Sequence, residues 1–467
     1  MRKVEESVAA VGRGTQRTLS GGTIVTGPTL SAYNAYSHEK GRTPIHNWYT
    51  TVAGYSTDFV LGTLKTIGIQ KGDSIFDPFA GTGTTALASM PRGMRVQGIE
   101  ANPFHHLVAC TKLDFAIDRD EATNVLATLR RDLRPLLESD GAYTLKLAPT
   151  IPITEHLSSI KNDEDGPPEM PHLARWMSPL VLERTLVVKA AVDGVVENGS
   201  STPVGNLVRV AFGSILIPIS NMQLAGPKIA YRRQAGKRVM CMDAPVVGLF
   251  LKKLAGMVSD LSAYKEADDW IAPEITLGDS RRPTDYFESE VDLAVTSPPY
   301  LNEVDYIENT RLELFFLGLV RSEADLRVLK ERLIRANSKY LFKSNRNYPD
   351  DLPDLRSFSE VRSLCREIER IWTQRGWGWD HPRLVGEYFF DMASHLRGMH
   401  LLLRKGAHYV LVVGDSAIDG VLVPTDKLIA RIARDVGFHA TAVTPFRWRS
   451  SSRHRTRLQE SIIDLTA

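Results

Sequence analysis

Ser74-Ile75-Phe76-Asp77-Pro78-Phe79-Ala80-Gly81-Thr82-Gly83-Thr84-Thr85 is the stretch that decides the fold. An apolar run ends on an acid and a proline, and a Gly-Thr-rich loop follows. This reads as a short buried strand, a tight turn and a helix running on through Met90. Arg95-Val96-Gln97-Gly98-Ile99-Glu100 then reads as a second strand ending on an acid. Strand, glycine turn, helix, strand and acid make a nucleotide-type βαβ unit. Gly81 and Gly83 carry no Cβ, so the loop backbone can approach a ligand closely. An acid about 20 residues beyond such a loop stands where ribose hydroxyls are held. No Lys-Ser or Lys-Thr pair follows the glycines, which disfavours a phosphate-binding loop.

The alternation resumes further along the chain. Glu274–Asp279, Val291–Ser297 and His408–Asp415 read as strands, and Ala440–Phe446 and Glu460–Leu465 as two final ones. Helical spacing marks Ile45–Gly68, Val125–Arg134 (stopped by Pro135), Trp176–Val195, Val246–Leu261, Leu312–Leu319, Tyr388–Leu403 and Thr425–Val436. Strands alternating with helices predict an α/β protein, a mostly parallel sheet covered on both faces. Ligands of such sheets bind at the carboxyl ends of the strands. Asp77, Glu100, Asp279 and Ser297 all fall at predicted strand ends, which places them around one cleft.

At 467 residues the chain can bury a large core. Its formal net charge of +2 means that any nucleic-acid site must be a local basic patch. The best candidate is Lys228, Arg232, Arg233, Lys237 and Arg238, with Tyr231 interleaved. A second runs from Arg447 through Arg449 and Arg453 to Arg457, and a third is Lys339, Lys343 and Arg346. Cys110, Cys241 and Cys365 are too far apart for a zinc site or a disulfide framework, so no metal is expected and the three read as buried small apolar residues. The start, Met1 to Glu6, lacks the apolar core of a signal peptide, and no apolar run approaches membrane-spanning length. A cytoplasmic protein without a membrane partner is the expectation.

The chemistry comes from Thr296-Ser297-Pro298-Pro299-Tyr300, at the exit of the apolar strand Val291–Val295. Two prolines stiffen the backbone and remove two N–H donors, leaving carbonyls to accept beside an aromatic ring. That suits gripping a planar ring through an amino group. The lone pair of an exocyclic amino nitrogen is delocalised into its ring. Acceptors aimed at its N–H groups favour a pyramidal nitrogen and stabilise the developing charge. Ser297 Oγ and the Pro298 carbonyl are two such acceptors, and Tyr300 offers a stacking face. Cytosine C5 chemistry is disfavoured, because it needs a thiolate and none of the cysteines follows a proline.

Together the two motifs resemble the amino-group DNA methyltransferases, which move a methyl from S-adenosylmethionine to an exocyclic base nitrogen. The resemblance implies a Rossmann-like class I methyltransferase sheet whose last strand is antiparallel. It implies that the loop Asp77, Pro78, Phe79, Gly81, Gly83, Thr84 and Thr85 wraps the methionine part of the cofactor. Glu100 would then meet the ribose and Asp279 the adenine amino group. The Trp48–Phe59 region is similar to the family's N-terminal cofactor-flanking motif. Tyr388-Phe389-Phe390-Asp391-Met392 and Val412-Val413-Gly414-Asp415-Ser416 are similar to its later core segments. Serine before the prolines implies cytosine N4 more often than adenine N6. Residues 1–43, rich in Gly, Ser and Thr and without clear periodicity, read as a flexible arm, and the order of motifs implies a cofactor-binding half at 44–114 and a helical target-recognition insertion at 115–270. It then implies a catalytic half at 271–320, a second helical insertion at 321–384 and the rest of the core at 385–467. The implied partner is double-stranded DNA, with a cognate restriction or defence-system protein alongside. Alternatives are a transfer-RNA guanine methyltransferase of the same fold, and an inactive nucleic-acid-binding module. The recognised sequence and the oligomeric state are not legible.

Overall fold

The computed structural model describes residues 44–49, 51, 54–147, 173–197, 199–225, 228–262, 270–288, 290–342, 356–375, 378–450 and 456–467. The expected arm at 1–43, together with Lys343, Arg346 and Arg453, lies outside the described residues.

The strand signals resolve into β1 (Ser74–Asp77), β2 (Arg95–Glu100), β3 (Glu274–Leu277), β4 (Val291–Thr296), β5 (Leu403–Gly414), β6 (His439–Ser450) and β7 (Arg457–Thr466). They form one sheet in the order β6-β7-β5-β4-β1-β2-β3. Parallel registers set Ile75 beside Val96 and Leu293, Ile99 beside Thr276, and Tyr409 beside Ala294. Only β7 runs against its neighbours, with Val412 and Val443 opposite Ile462 and Ile463. The expected α/β class and largely parallel sheet are what the structure has.

Successive strand residues point to opposite faces, and both faces are buried. Ile75, Leu293, Val295, Val410 and Ile462 belong to one core, with Val108, Val208 and Phe250 of the covering helices. Phe76, Ala294, Tyr409, Leu411 and Ile463 belong to the other, with Phe358, Met392 and Ile429. Continuous apolar runs are what a parallel sheet covered on both faces requires.

Several elements differ from the sequence reading. Pro135 does not end a helix. Arg119–Asp132 finishes earlier, and Pro135 sits in the first turn of Arg134–Glu138, where its missing N–H costs nothing. The C-terminal core helix begins at His381, not Tyr388, because Asp380 accepts the Arg383 N–H as its cap. Between 115 and 270 the chain is not purely helical. Strands Met222–Ala225 and Lys228–Tyr231 pair, as do Arg233–Gln234 and Thr144–Leu147 with Lys237–Asp243. Cys241 and Cys365 are buried, whereas Cys110 is only half-buried.

Helix Thr202–Ile219 was absent from the pattern reading. By length and composition alone it could cross a membrane, contrary to the expectation that no run would. Two-thirds of it is buried inside the protein. It packs on helices Pro103–Leu113, Pro179–Glu197, Val246–Leu261 and Arg311–Phe316. A helix apolar on every side is one enclosed by its neighbours.

A buried ionic network fixes the segment before residue 337 to helix His381–Leu402. The Arg335 guanidinium donates to Asp391 at 2.8 Å and to Glu387 at 2.8 Å, and its backbone N–H donates to Asp391 at 2.9 Å. Arg383 adds a second cation on Glu387. Removing one member of a buried pair strands the other charge. Asp391→Ala is therefore expected to destabilise the protein by about 3–5 kcal/mol in urea unfolding; a loss below about 1 kcal/mol, the level of an exposed pair, would contradict this account.

Candidate active site

The carboxyl ends of β1, β2 and β4 open into a cleft. Gly81, Phe79 and Thr84 of the glycine loop line it, and so do Glu100, Ser297 and Pro299. The two motifs, more than 200 positions apart in sequence, thus share one cavity. Opposite them stand Tyr55, His105, Tyr306 and the segment Arg332–Ile334, which the Arg335 network holds in place.

Asp77 lies beneath the loop and is 2% exposed. Its carboxylate accepts from Tyr55 Oη at 2.6 Å, Thr85 Oγ1 at 2.6 Å, Thr296 Oγ1 at 2.6 Å and the Phe79 N–H at 3.1 Å. Burial raises its pKa, and the same four donors work against that rise. Asp77 therefore ties four segments together and does not itself line the cleft. Gly81 has φ +56° and Gly83 φ +87°, the left-handed region that favours glycine. The Pro78 carbonyl accepts from Ser280 Oγ, which brings the β3 exit to the loop.

Glu100 accepts from the Gly81 N–H at 2.8 Å and the Asn102 N–H at 2.7 Å. Burial pushes its pKa up to about 7. Asn102 caps helix Pro103–Leu113 and donates to Thr310 Oγ1 at 2.8 Å. Asp279 is placed differently from Glu100. Its carboxylate is held by Arg281, with Nε–O distances of 2.9 and 3.0 Å, and the neighbouring Ser280 lines the cleft in its stead.

At the second motif, Ser297 Oγ donates to the Val412 carbonyl at 3.1 Å. Its proton is thereby engaged, and its lone pairs remain on an atom that borders the cleft. The Pro299 carbonyl accepts from Tyr388 Oη at 3.2 Å; Pro298 is buried. The Tyr300 ring lies over Gly414, where a Cβ would come within 2.7 Å of Cε2. Arg449 stands 6.0 Å from the ring centre and pairs with Glu303. A residue read from sequence as a DNA contact thus braces the aromatic ring of this motif.

The main basic stretch spans two short hairpins, Met222–Ala225 with Lys228–Tyr231 and Arg233–Gln234 with Lys237–Asp243. Arg232 Nε donates to the Ser220 carbonyl at 2.8 Å, closing the C-terminus of the apolar helix. Arg233 bonds the Gly236 carbonyl at 2.8 Å inside the turn, and Arg238 lies 4.5 Å from the Tyr231 ring. Lys228 and Lys237 are exposed.

Tyr55, His105, Tyr306 and Arg332–Ile334 were not among the expected site residues. Tyr55 lies inside the flagged 48–59 region, and Tyr306 lies six residues beyond the second motif. Nothing in the local pattern of His105 or of 332–334 marks them, because tertiary packing alone brings them to the cleft.

Glu313, on helix Arg311–Phe316, is fully buried, and burial raises its pKa to about 8. A carboxyl whose folded pKa lies above its ordinary value adds stability below that ordinary value, and the gain is lost as pH rises through the folded pKa. Lys112, lowered by burial to about 7, acts with the opposite sign. Comparison with a neutral variant isolates the acid. Glu313→Gln is expected to gain melting temperature over wild type between pH 5 and about 8, with the gap level beyond. A gap independent of pH would refute the raised pKa.

No family model matches the chain. The Type II methyltransferase M.BsoBI of Geobacillus stearothermophilus is 23% identical over 436 residues, covering 88% of this chain and 81% of that protein. M.AvaI of Nostoc sp. is 22% identical over 424 residues, covering 86% and 80%. M.MvaI of Kocuria varians is 19% identical over 378 residues, covering 78% and 75%. With a single antiparallel strand in its parallel sheet and both motifs on one cleft, the chain is similar along most of its length to these Type II methyltransferases.

Proposed function

We propose that the chain methylates an exocyclic amino nitrogen of a base in double-stranded DNA, cytosine N4 ahead of adenine N6, with S-adenosylmethionine as donor. The observation that carries this reading is the shared cavity of Gly81, Glu100, Ser297 and Pro299. The residues fit the donor. A left-handed glycine loop faces the cleft, and an acid and an aromatic ring, Glu100 and Phe79, stand on its wall. When bound, the cofactor supplies an electrophilic methyl on a sulfonium.

The remaining chemistry falls to the chain. Ser297 Oγ, its proton held by Val412, accepts an N–H of the base and favours a pyramidal nitrogen. Tyr300, seated on Gly414 and braced by Arg449, stacks on the ring. The target amino group lies inside a duplex, so the base must be turned out first. The two hairpins carrying Lys228, Tyr231, Lys237 and Arg238 are the proposed phosphate-contacting surface. Its Arg232 has a structural task as well. The division into core and insertions at 115–270 and 321–384, a cytoplasmic location and a companion restriction nuclease or defence protein belong to the same reading.

Incorporation of labelled methyl into duplex DNA, single-stranded DNA and transfer RNA, with the modified base identified by mass spectrometry, tests it. N4-methylcytosine in the duplex is the expected product, and label in RNA alone would overturn the proposal. Tyr300→Ala should lose about 1–3 kcal/mol of base stacking, a roughly ten- to hundredfold fall in kcat/KM, with donor affinity unchanged in calorimetry. Gly81→Val should instead abolish donor binding, because a β-branched residue is strained at φ +56°; wild-type affinity there would contradict the loop assignment.

A further inference from the structure

A second cavity opens beside the transfer cleft and shares Thr51, His105 and Tyr306 with it. Ser297 and Pro299 are not on its walls. Its distinguishing residue is Glu313, 0% exposed, with Oε1 accepting from Tyr49 Oη at 3.1 Å. Oε2 is buried with no hydrogen-bond partner among the described residues. A stranded buried carboxyl oxygen destabilises a protein, so a core position with no ligand would be better served by leucine. Around Glu313 stand aromatic faces from Tyr49, His105 and Tyr306, the amide of Gln223, and the cations Arg232 and Lys253. Gln223 is on the strand that pairs with Lys228–Tyr231 of the basic stretch, so one wall belongs to the proposed DNA-contacting surface.

We propose that this cavity receives a second nucleobase of the bound duplex, distinct from the methylated one, with Glu313 hydrogen-bonding its polar edge. The aromatic walls suit a planar ring, and the cations suit the phosphate of the same nucleotide. The shared wall lets one nucleic-acid strand reach both cavities. Lacking Ser297, the second one cannot hold the base that is methylated. Held neutral by burial, the Glu313 carboxyl both donates and accepts, as an amide does. The inference rests on the proposed DNA methylation and goes beyond it, by giving the enzyme a second base-reading pocket.

The test is a cycle between enzyme and substrate. The methylated sequence is first mapped by sequencing plasmid exposed to the wild-type enzyme. Duplexes are then made with one abasic nucleotide at each non-target position in turn, on either strand. Affinities are measured for wild type, Glu313→Gln and Glu313→Leu. At one position base removal should weaken wild-type binding about tenfold, the worth of one good hydrogen bond to a buried group. At that position it should cost Glu313→Leu nothing further. The strand carrying the position identifies the base as a neighbour or as the partner left behind by the target. Glu313→Gln should behave as wild type, and Glu313→Leu should melt at a higher temperature while binding intact duplex about tenfold more weakly. Strict additivity at every position, or unaltered binding by Glu313→Leu, would overturn the inference while leaving the methylation proposal intact. Absence of methylation by wild type would sink the parent reading.

Discussion

The Asp77 carboxylate is the point on which the site depends. One buried anion accepts four hydrogen bonds from four segments: Tyr55 from the N-terminal segment, Thr85 from the helix after the loop, Thr296 from the end of β4, and the Phe79 backbone from the loop itself. Hydrogen bonds to an ionised acceptor are among the strongest a protein makes, and stranding such an acceptor is costly. Each donor therefore holds the others in register. The glycine loop takes its left-handed turns above this anchor, and Thr296 directly precedes the serine of the second motif. β1 and β4 pair side by side, and the Asp77 carboxylate ties their two exits together.

Much of this was readable in the chain, and the physical reasons are particular. The strands around Phe76 and Ala294 carry unbroken apolar runs because both their faces are covered, and such runs stand out against polar loops. Gly81 and Gly83 stand out because positive φ selects for them. Glu100 and Ser297 were placed by strand ends, since a parallel sheet gathers those ends on one side. The structure adds partners that the sequence pattern does not show. Asp279 has the sequence context of a ligand-binding acid, yet Arg281, two residues on, holds it. Arg449 lies in a basic run and yet works inside the fold, because Glu303 and Tyr300 approach it from far along the chain. Helix Thr202–Ile219 escaped notice because apolar residues on every side leave no periodicity to detect.

The polar groups of the interior divide into two kinds. Arg335, Asp391, Glu387 and Arg383 satisfy one another, and their network fixes the wall segment Arg332–Ile334 against the core. Among the described residues, Tyr49 bonds one oxygen of Glu313 and nothing bonds the other. The first arrangement gives position and rigidity, which a site demanding alignment requires. The second leaves a polar function unspent in a dry environment, a state that proteins tend to retain at sites of use.

The placement of β7 has a consequence for how the molecule comes into being. Arg457–Thr466 lies between β5 and β6, and it is the strand against which His439–Ser450 pairs. While the ribosome is still reading the codons before Arg457, the preceding hairpin arm has no neighbour to lie against, and Arg449 lacks its ion pair with Glu460. The pairing of β7 with β5 skips over the intervening chain, and such pairings are slow to form. Among the described strands β6 joins the sheet through β7, so Arg449 is brought to the Tyr300 ring only once β7 is in place.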